Sequence, residues 1–183
     1  VDPKRIEKRV KTGYCEVMTA NLDEALDLAL TAKRRGIPKS IGLVGNAAEV
    51  HPEILKRGIL PDLMTDQTSA HDALNGYVPA GLTLEEARNL RMKNPHDYIN
   101  RAMDSMALHV QTMLEFQMRG VIVFDYGNNI RAQAVTRLSA PSSSRMLDLA
   151  CLAMKRETSS GRRTPSACAF LRRMAAFVSR SGG

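Results

Sequence analysis

Residues 66–79 carry the side chains best suited to chemistry in this 183-residue chain. Nearly every position holds a hydrogen-bond donor or acceptor, and the segment follows a short apolar run at residues 59–64. Its amide, hydroxyl and imidazole groups can present either donors or acceptors. Because ligands of open α/β sheets bind beyond the carboxyl ends of the strands, the pattern predicts a ligand-binding loop. The alternative is an ordinary polar loop that contains an Asx turn.

Two further polar segments also follow apolar runs. Gly45 and Asn46 come after residues 41–44, and the polar residues 125–129 come after residues 121–124. A glycine and a short amide beyond a strand leave backbone N–H groups exposed, and such groups favour an anionic or polar ligand. Taken alone, a glycine and an asparagine in this position usually form a simple turn.

Apolar periodicity and capping residues predict the helices that flank these segments. Asn21 can cap a helix that ends at Gly36. Thr83 and Glu86 form a capping-box pattern for a second helix. Residues 96–119 repeat apolar side chains at three- and four-residue spacing, which predicts a long helix whose methionines pack in the core. Short strands are predicted at residues 41–44, 62–65 and 121–124.

The order of strand, helix and strand over residues 41–65 is typical of a βαβ unit with parallel strands. Such a unit would bring the Gly45-Asn46 turn and residues 67–71 to one sheet edge, and we expect the end of the third strand to lie beside them. The helix within it has two solutions. Asn46 can cap a helix with Pro52 in its interior, at a cost of roughly 3 kcal/mol. The cheaper solution, and the one we expect, begins the helix at Pro52 after a loop or a single turn.

Three ordered motifs resemble the urocanase (urocanate hydratase) family. They are Gly45-Asn46-Ala47-Ala48-Glu49, then Gln67-Thr68-Ser69-Ala70-His71-Asp72 with Leu74-Asn75-Gly76-Tyr77, and Phe124-Asp125-Tyr126-Gly127-Asn128-Asn129-Ile130-Arg131. The chain departs from the family pattern at Ala73, where proline is usual, and at Val78, where leucine is usual. The resemblance assigns residues 1–134 to the C-terminal part of a urocanase-like NAD-binding domain and leaves residues 135–183 as a divergent Ser/Arg-rich tail.

The resemblance implies a fold, a reaction and a cofactor. The fold would be α/β, a partial Rossmann-like parallel sheet flanked by helices, with a poorly structured basic tail. Urocanases are lyases that add water to urocanate to give imidazolone propionate in histidine degradation, with tightly bound NAD+ as the electrophile. A positively charged nicotinamide is an electron sink, and the protein holds it in register with the substrate. The full-length family protein is expected to be a homodimer.

Carried over by position, the family pattern implies ten cofactor-binding residues: Asn46, Ala47, Gln67, Thr68, Ser69, Ala70, His71, Tyr77, Val78 and Tyr126. The family's glycine-rich phosphate turn and its reactive cysteine have no counterpart in the three motifs. The resemblance therefore implies an incomplete chain without a catalytic residue, which does not hydrate urocanate alone and binds NAD+ weakly or not at all. The runner-up interpretation is a non-catalytic nucleotide-binding or interaction module.

The basic character of the chain belongs to its tail. Residues 1–134 carry 17 Lys+Arg and 17 Asp+Glu, whereas residues 135–183 carry 9 and 2, which accounts for the net charge of +7. A basic tail can bind nucleic acid, but this one has few aromatic residues and no groove-reading element, so no nucleic-acid partner is expected. Its serine and arginine bias suggests a deletion junction followed by another reading frame. The alternative is a natural disordered tail.

Several other functions are disfavoured by the sequence. No apolar run is long enough to span a membrane, and no secretory signal is visible, so a cytoplasmic protein without a membrane partner is expected. The three cysteines have no zinc-ligand spacing, which predicts reduced thiols and no metal site. Cys15 is predicted to pack as a small apolar residue. His51, His96 and His109 lie outside the motifs and are predicted to be surface or structural residues.

Overall fold

The computed structural model describes residues 2–138, so the predictions for residues 139–183 of the tail lie outside the described residues. The first half contains α1 (Pro3–Lys11), β1 (Val17–Thr19), α2 (Leu22–Arg35), β2 (Ile41–Leu43) and α3 (Ala47–Lys56). The second half contains β3 (Leu63–Asp66), α4 (Leu84–Lys93), α5 (Pro95–Met118), β4 (Ile122–Asp125) and α6 (Ile130–Leu138). The fold class is α/β with small parallel sheets flanked by helices, as predicted.

The helices begin where capping chemistry predicts. The side-chain oxygen of Asn21 accepts hydrogen bonds from the first turn of α2, and Gly36 ends that helix in the left-handed conformation at φ 63°. Thr83 and Glu86 exchange the two hydrogen bonds of a capping box at the start of α4. The predicted caps of both helices are confirmed.

Helix α3 differs from the expected solution. It begins directly after Asn46, whose side chain caps it, and continues through Pro52 to Lys56. Proline has no N–H, so the carbonyl of Ala48 lacks its helical donor. Of the two solutions offered by the sequence, the structure has the helix capped by Asn46, and the cheaper one that starts at Pro52 is wrong. The longer helix packs along α5 and buries Ala48 in its first turn and Leu55 in its last, and this packing offsets the cost of the proline.

The strands form two separate parallel pairs instead of one sheet. β1 pairs with β2 in the register Val17↔Ile41, and β3 pairs with β4 in the register Leu63↔Ile122. The predicted βαβ unit over residues 41–65 is wrong, because β2 and β3 lie in different sheets. Each pair instead has its own helical crossover, α2 for the first and α4 with α5 for the second.

Helix α5 is the centre of the core. Of its 24 residues, Met106 and Met113 are among the most completely buried, which confirms the prediction for these two methionines, whereas Met103 is partly buried and Met118 is 44% exposed. One face packs with α4, α6 and the loop after β3, while another packs with α3, β3 and β4. Cys15 is buried under the first sheet, as predicted. None of the helices in residues 2–138 has the length and apolar character needed to cross a bilayer.

Candidate functional site

The loop after β3 is anchored at its first residue by Asp66, which is 6% exposed. The Asp66 carboxylate accepts hydrogen bonds from the Thr68 backbone N–H at 3.2 Å, from the Thr68 hydroxyl at 2.5 Å and from the Asn128 side-chain amide. The Asn128 amide also donates to the Thr68 carbonyl at 2.7 Å. These bonds fix the loop after β3 to the loop after β4, so the ends of the two paired strands form one surface.

The far end of the same loop is attached to helix α3. The Asn46 side-chain amide donates to the carbonyl of Val78 at 2.9 Å, and the Glu49 carboxylate accepts from the N–H of Gly81 at 2.8 Å. The segment that follows β2 is thereby joined to the loop after β3, although β2 and β3 belong to different sheets. Hydrogen bonds therefore connect all three polar segments identified in the sequence.

The middle of the loop is a tight Asx turn around Asp72. Its side chain accepts from the N–H groups of Leu74 and Asn75, both at 3.0 Å, and its carbonyl accepts from the N–H of Gly76 at 2.7 Å. The Asn75 side-chain amide also donates to the Asp72 carboxylate, and this bond is the main reason that the pKa of Asp72 lies below its usual value. A Cβ at Gly76 would lie 1.8 Å from the carbonyl oxygen of Ser69, so only glycine allows this closure.

The loop after β4 is held by contacts of the Asp125 carboxylate. The Asp125 carboxylate accepts from the N–H of Gly127 at 2.8 Å and forms an ion pair with the guanidinium of Arg131 in the first turn of α6. Asn129 takes a positive φ of 70°, which asparagine tolerates better than most residues. The predicted polar turn after this strand is thus present, and α6 follows it directly.

Most of the ten predicted residues divide into an inner and an outer group. Ala70 and Tyr77 are buried, while the polar groups of Asn46 and Thr68 are engaged within the protein. The outer group consists of Gln67, Ser69, His71 and Tyr126, which are all exposed. Ala47 and Val78, the last two of the ten, are half-buried and belong to neither group. The side chains of Gln67, Ser69 and His71 have no hydrogen-bond partner among residues 2–138. The outer group can therefore bind a ligand, and the inner group holds the loop that presents it.

Sequence reasoning missed a buried polar cluster beneath the loop. His109, 1% exposed in the middle of α5, lies with Nδ1 3.3 Å from the Tyr77 hydroxyl and Nε2 3.9 Å from Asp66 Oδ1. Its ring centroid is 4.9 Å from that of His51 on α3. The signal that could have found this cluster is spacing, because His109 falls three residues after Met106 and four before Met113, on the buried stripe of α5.

Burial keeps the two histidines and Tyr77 of this cluster uncharged near neutral pH. It lowers the pKa of His51 to about 4, with repulsion from His109 as the second cause. It also lowers the pKa of His109, against the opposing effect of Asp66, and it raises the pKa of Tyr77. Each shift has burial as its main cause, because a dry interior disfavours the charged form of any group. The loop therefore rests on two neutral imidazoles and a neutral phenol.

The donor set determines which ligands suit the site. Within residues 2–138, no group of three or more His, Cys, Asp or Glu side chains is arranged to hold a metal ion. The exposed amide, hydroxyl, imidazole and phenol groups instead suit a ligand with several hydroxyl or phosphate oxygens. The capped amino-terminal end of α3 lies beside Val78 and adds the positive end of a helix dipole.

The chain matches a known protein family. A family model described as the Urocanase Rossmann-like domain matches residues 1–142. The match covers more than three-quarters of the chain, and it includes every helix and strand from α1 to α6. It also includes all three polar segments and the buried histidine cluster.

Proposed function

The chain belongs to the urocanase family, and on that premise we propose that the loop after β3 forms part of an NAD+ site that serves the hydration of urocanate to imidazolone propionate. The proposed contacts to the dinucleotide are those of Asn46, Ala47, Gln67, Thr68, Ser69, Ala70, His71, Tyr77, Val78 and Tyr126. Urocanate as the small-molecule substrate, a homodimer, a cytoplasmic location and the absence of nucleic-acid and membrane partners are parts of the same proposal.

The observation that carries the proposal is the division of the loop into anchored and exposed side chains. Asp66 and Val78 are tied to the neighbouring segments, while Gln67, Ser69 and His71 between them face solvent with uncommitted donors and acceptors. A dinucleotide has two phosphates and two riboses, so it needs hydrogen-bonding groups spread along several loop edges. The donor set therefore fits this cofactor, and the rigid backbone reduces the entropy lost on binding.

Bound NAD+ would supply a positively charged nicotinamide ring that withdraws electrons from the substrate. The residues of this chain would bind and orient the dinucleotide. Gln67 and Ser69 would donate to phosphate or ribose oxygens, and His71 would present a ring nitrogen to a hydroxyl. The ring of Tyr126, 64% exposed and packed edge-on against Phe124 at 5.8 Å, would supply a flat surface and a hydroxyl at the end of β4.

We propose that this chain by itself does not hydrate urocanate. Cys15, the cysteine within the described residues, is buried next to Gly42, and its thiol donates to the carbonyl of Val17 at 3.2 Å. This thiol packs under the first sheet and makes no contact with the loop after β3. Adding the purified chain to urocanate should leave the ultraviolet absorbance of urocanate unchanged. A steady loss of that absorbance would contradict this part of the proposal.

The binding part can be tested by NMR with millimolar NAD+, which detects weak complexes. The backbone amide signals of residues 67–71, 78 and 126 should shift with NAD+ concentration, whereas those of β1 and β2 should not. Replacing His71 with alanine should weaken the effect, and replacing the exposed His96 on α5 should not, which makes His96→Ala a matched control. No shift in the loop, or equal shifts over the whole surface, would refute the proposed site.

A further inference from the structure

We propose that His109 is a positioning residue that holds the two ends of the ligand loop together. The loop begins at Asp66 and its turn closes at Tyr77, and the His109 imidazole lies between these two side chains. The consequence of this contact for function rests on the proposed NAD+ site. The contact itself concerns only the residues of this chain and can be tested without any ligand.

The hydrogen-bonding groups assign the tautomer of His109. The Tyr77 hydroxyl, 3.3 Å from Nδ1, can donate to that nitrogen, which then carries no proton. The proton is left on Nε2, which faces the Asp66 carboxylate at 3.9 Å. The opposite tautomer would direct a lone pair at a carboxylate oxygen inside a dry core, where repulsion is strong. The Nε2–H form is therefore the one that attracts both ends of the loop.

The position of His109 makes a purely space-filling role a poor explanation. A buried polar group destabilises the fold unless it is paired, and the neighbouring positions Met106 and Met113 are filled by apolar side chains. No partner within residues 2–138 lies within hydrogen-bonding distance of Nε2. What His109 offers that leucine or methionine cannot is a hydrogen bond between Nδ1 and Tyr77 at one end of the loop and a polar N–H that faces the Asp66 carboxylate at the other.

The two ends depend on this contact to different degrees. Tyr77 has a second support, because its carbonyl accepts from the Tyr98 hydroxyl at 2.9 Å. Asp66 is held by Asn128 and by Thr68 within its own loop. The charged or titratable groups that face His109 from other elements are His51 on α3, Asp66 at the end of β3 and Tyr77 in the loop. Protonation of His109 would put a positive charge beside His51 and prevent Tyr77 from donating to Nδ1.

Amide hydrogen exchange tests the positioning role in the whole chain. The reporter amides are those of Thr68, bonded to Asp66, and Gly76, bonded to Asp72. The reference amide is that of Val44, which follows β2 and donates to the carbonyl of Thr19 in β1. In His109→Leu, exchange at both reporters should become about tenfold faster while that of Val44 stays unchanged. Equal acceleration at all three amides would show a global loss of stability and would overturn the proposal. His96→Leu, on the exposed side of the same helix, is the matched control.

Two conservative variants separate the two contacts. In His109→Asn the side-chain amide lies where Nδ1 was and should restore slow exchange at Gly76, next to Tyr77, but not at Thr68. In His109→Gln the amide reaches toward the Nε2 position and should restore Thr68 and not Gly76. If both variants behave like leucine, or both like the wild type, the proposal is refuted. These variants also decide the question if the leucine variant does not fold.

The imidazole nitrogens give a readout that a space-filling residue would not affect. The 15N signals of His109 in the wild-type chain at neutral pH should be those of a neutral ring protonated on Nε2, and a ring protonated on Nδ1 would overturn the proposal. The NAD+ titration is the separate test of the proposed function. If NAD+ produces no shifts but the exchange pattern is as expected, the positioning role stands and the proposed site fails. The opposite combination refutes the positioning role alone.

Discussion

Replacing Asn128 with alanine should lower the free energy of unfolding by about 2–4 kcal/mol. The magnitude follows from its two hydrogen bonds, one to the Asp66 carboxylate and one to the Thr68 carbonyl. A bond to a charged group contributes about 1.5–3 kcal/mol and a neutral one about 0.5–1.5 kcal/mol. Asp66 is buried, so the loss of a donor leaves its charge less well compensated. The upper part of the range is therefore expected.

The measurement is urea unfolding followed by circular dichroism, with Asn75→Ala as the matched control. Asn75 also donates its side-chain amide to a carboxylate, that of Asp72 at 2.9 Å, but in an exposed turn. Water can replace that bond, so the control should lose less than about 1 kcal/mol. If the two variants lose the same amount, the buried link between the loops after β3 and β4 does not stabilise the fold as reasoned here.

Asn128→Asp sharpens this prediction, because like alanine it removes the amide donor, while it keeps the shape of the side chain and adds a negative charge. At neutral pH it places a second carboxylate against Asp66, so it should be less stable than Asn128→Ala. Two carboxylates in one site cannot easily ionise together, and one of them should take up a proton as the pH falls. The gap between the two variants should therefore close in acid. A gap that is constant with pH would contradict the electrostatic explanation.

Three further predictions concern the loop and its supports. Gly76→Ala should lower the free energy of unfolding by about 3 kcal/mol or more, because the new Cβ would clash with the Ser69 carbonyl. Gly81 has open space around it, so Gly81→Ala should lower the free energy of unfolding by only about 1–2 kcal/mol, the cost of its positive φ. Pro52→Ala should raise the free energy of unfolding by about 1 kcal/mol or more, because it restores a helical donor inside α3. The pKa of His51 falls from 6.5 to about 4 on folding, so the unfolded chain binds the proton more readily than the folded chain. Stability that is present above pH 6.5 should therefore be lost toward pH 4, by up to about 3 kcal/mol. His51→Gln should reduce that loss when denaturation is measured as a function of pH.

The features that the sequence predicted are those set by neighbouring residues. Asn21 and Thr83 start their helices because a short polar side chain satisfies N–H groups two or three residues away. The polar turns after β2, β3 and β4 were also identified, since each combines a strand with small polar residues in immediate succession. The ligand role of the ten candidate residues stays a prediction, because it rests on the family motif and not on an observed ligand.

The features that the sequence did not predict depend on contacts between distant segments. The lost hydrogen bond at Pro52 disfavoured a helix through this residue. The packing of α3 along α5 stabilises that helix, and this packing cannot be identified from residues close to Pro52 in the sequence. The pairing of β3 with β4 joins residues about sixty positions apart, and adjacency in sequence wrongly favoured β2 as the partner. His109 is buried, in agreement with a structural role, but its partners Asp66 and Tyr77 lie more than thirty residues before it and could not be identified from the sequence.

The loop after β3 has two kinds of residue, those that fix its shape and those that are free to contact a ligand. Thr68, Ala70 and Tyr77 direct their side chains inward and contact Asp66 or the core on α5, so their substitution should alter the shape of the loop before it alters any ligand contact. Gln67 and His71 are exposed and unbonded within the described residues, so their substitution should change binding and leave the fold intact. Motif identity is therefore evidence for a loop shape as much as for a binding site. Buried and exposed side chains alternate along this loop, and its backbone is fixed at both ends by hydrogen bonds to neighbouring segments. The packing of the buried side chains on α5 therefore determines where the exposed donors lie before any ligand binds.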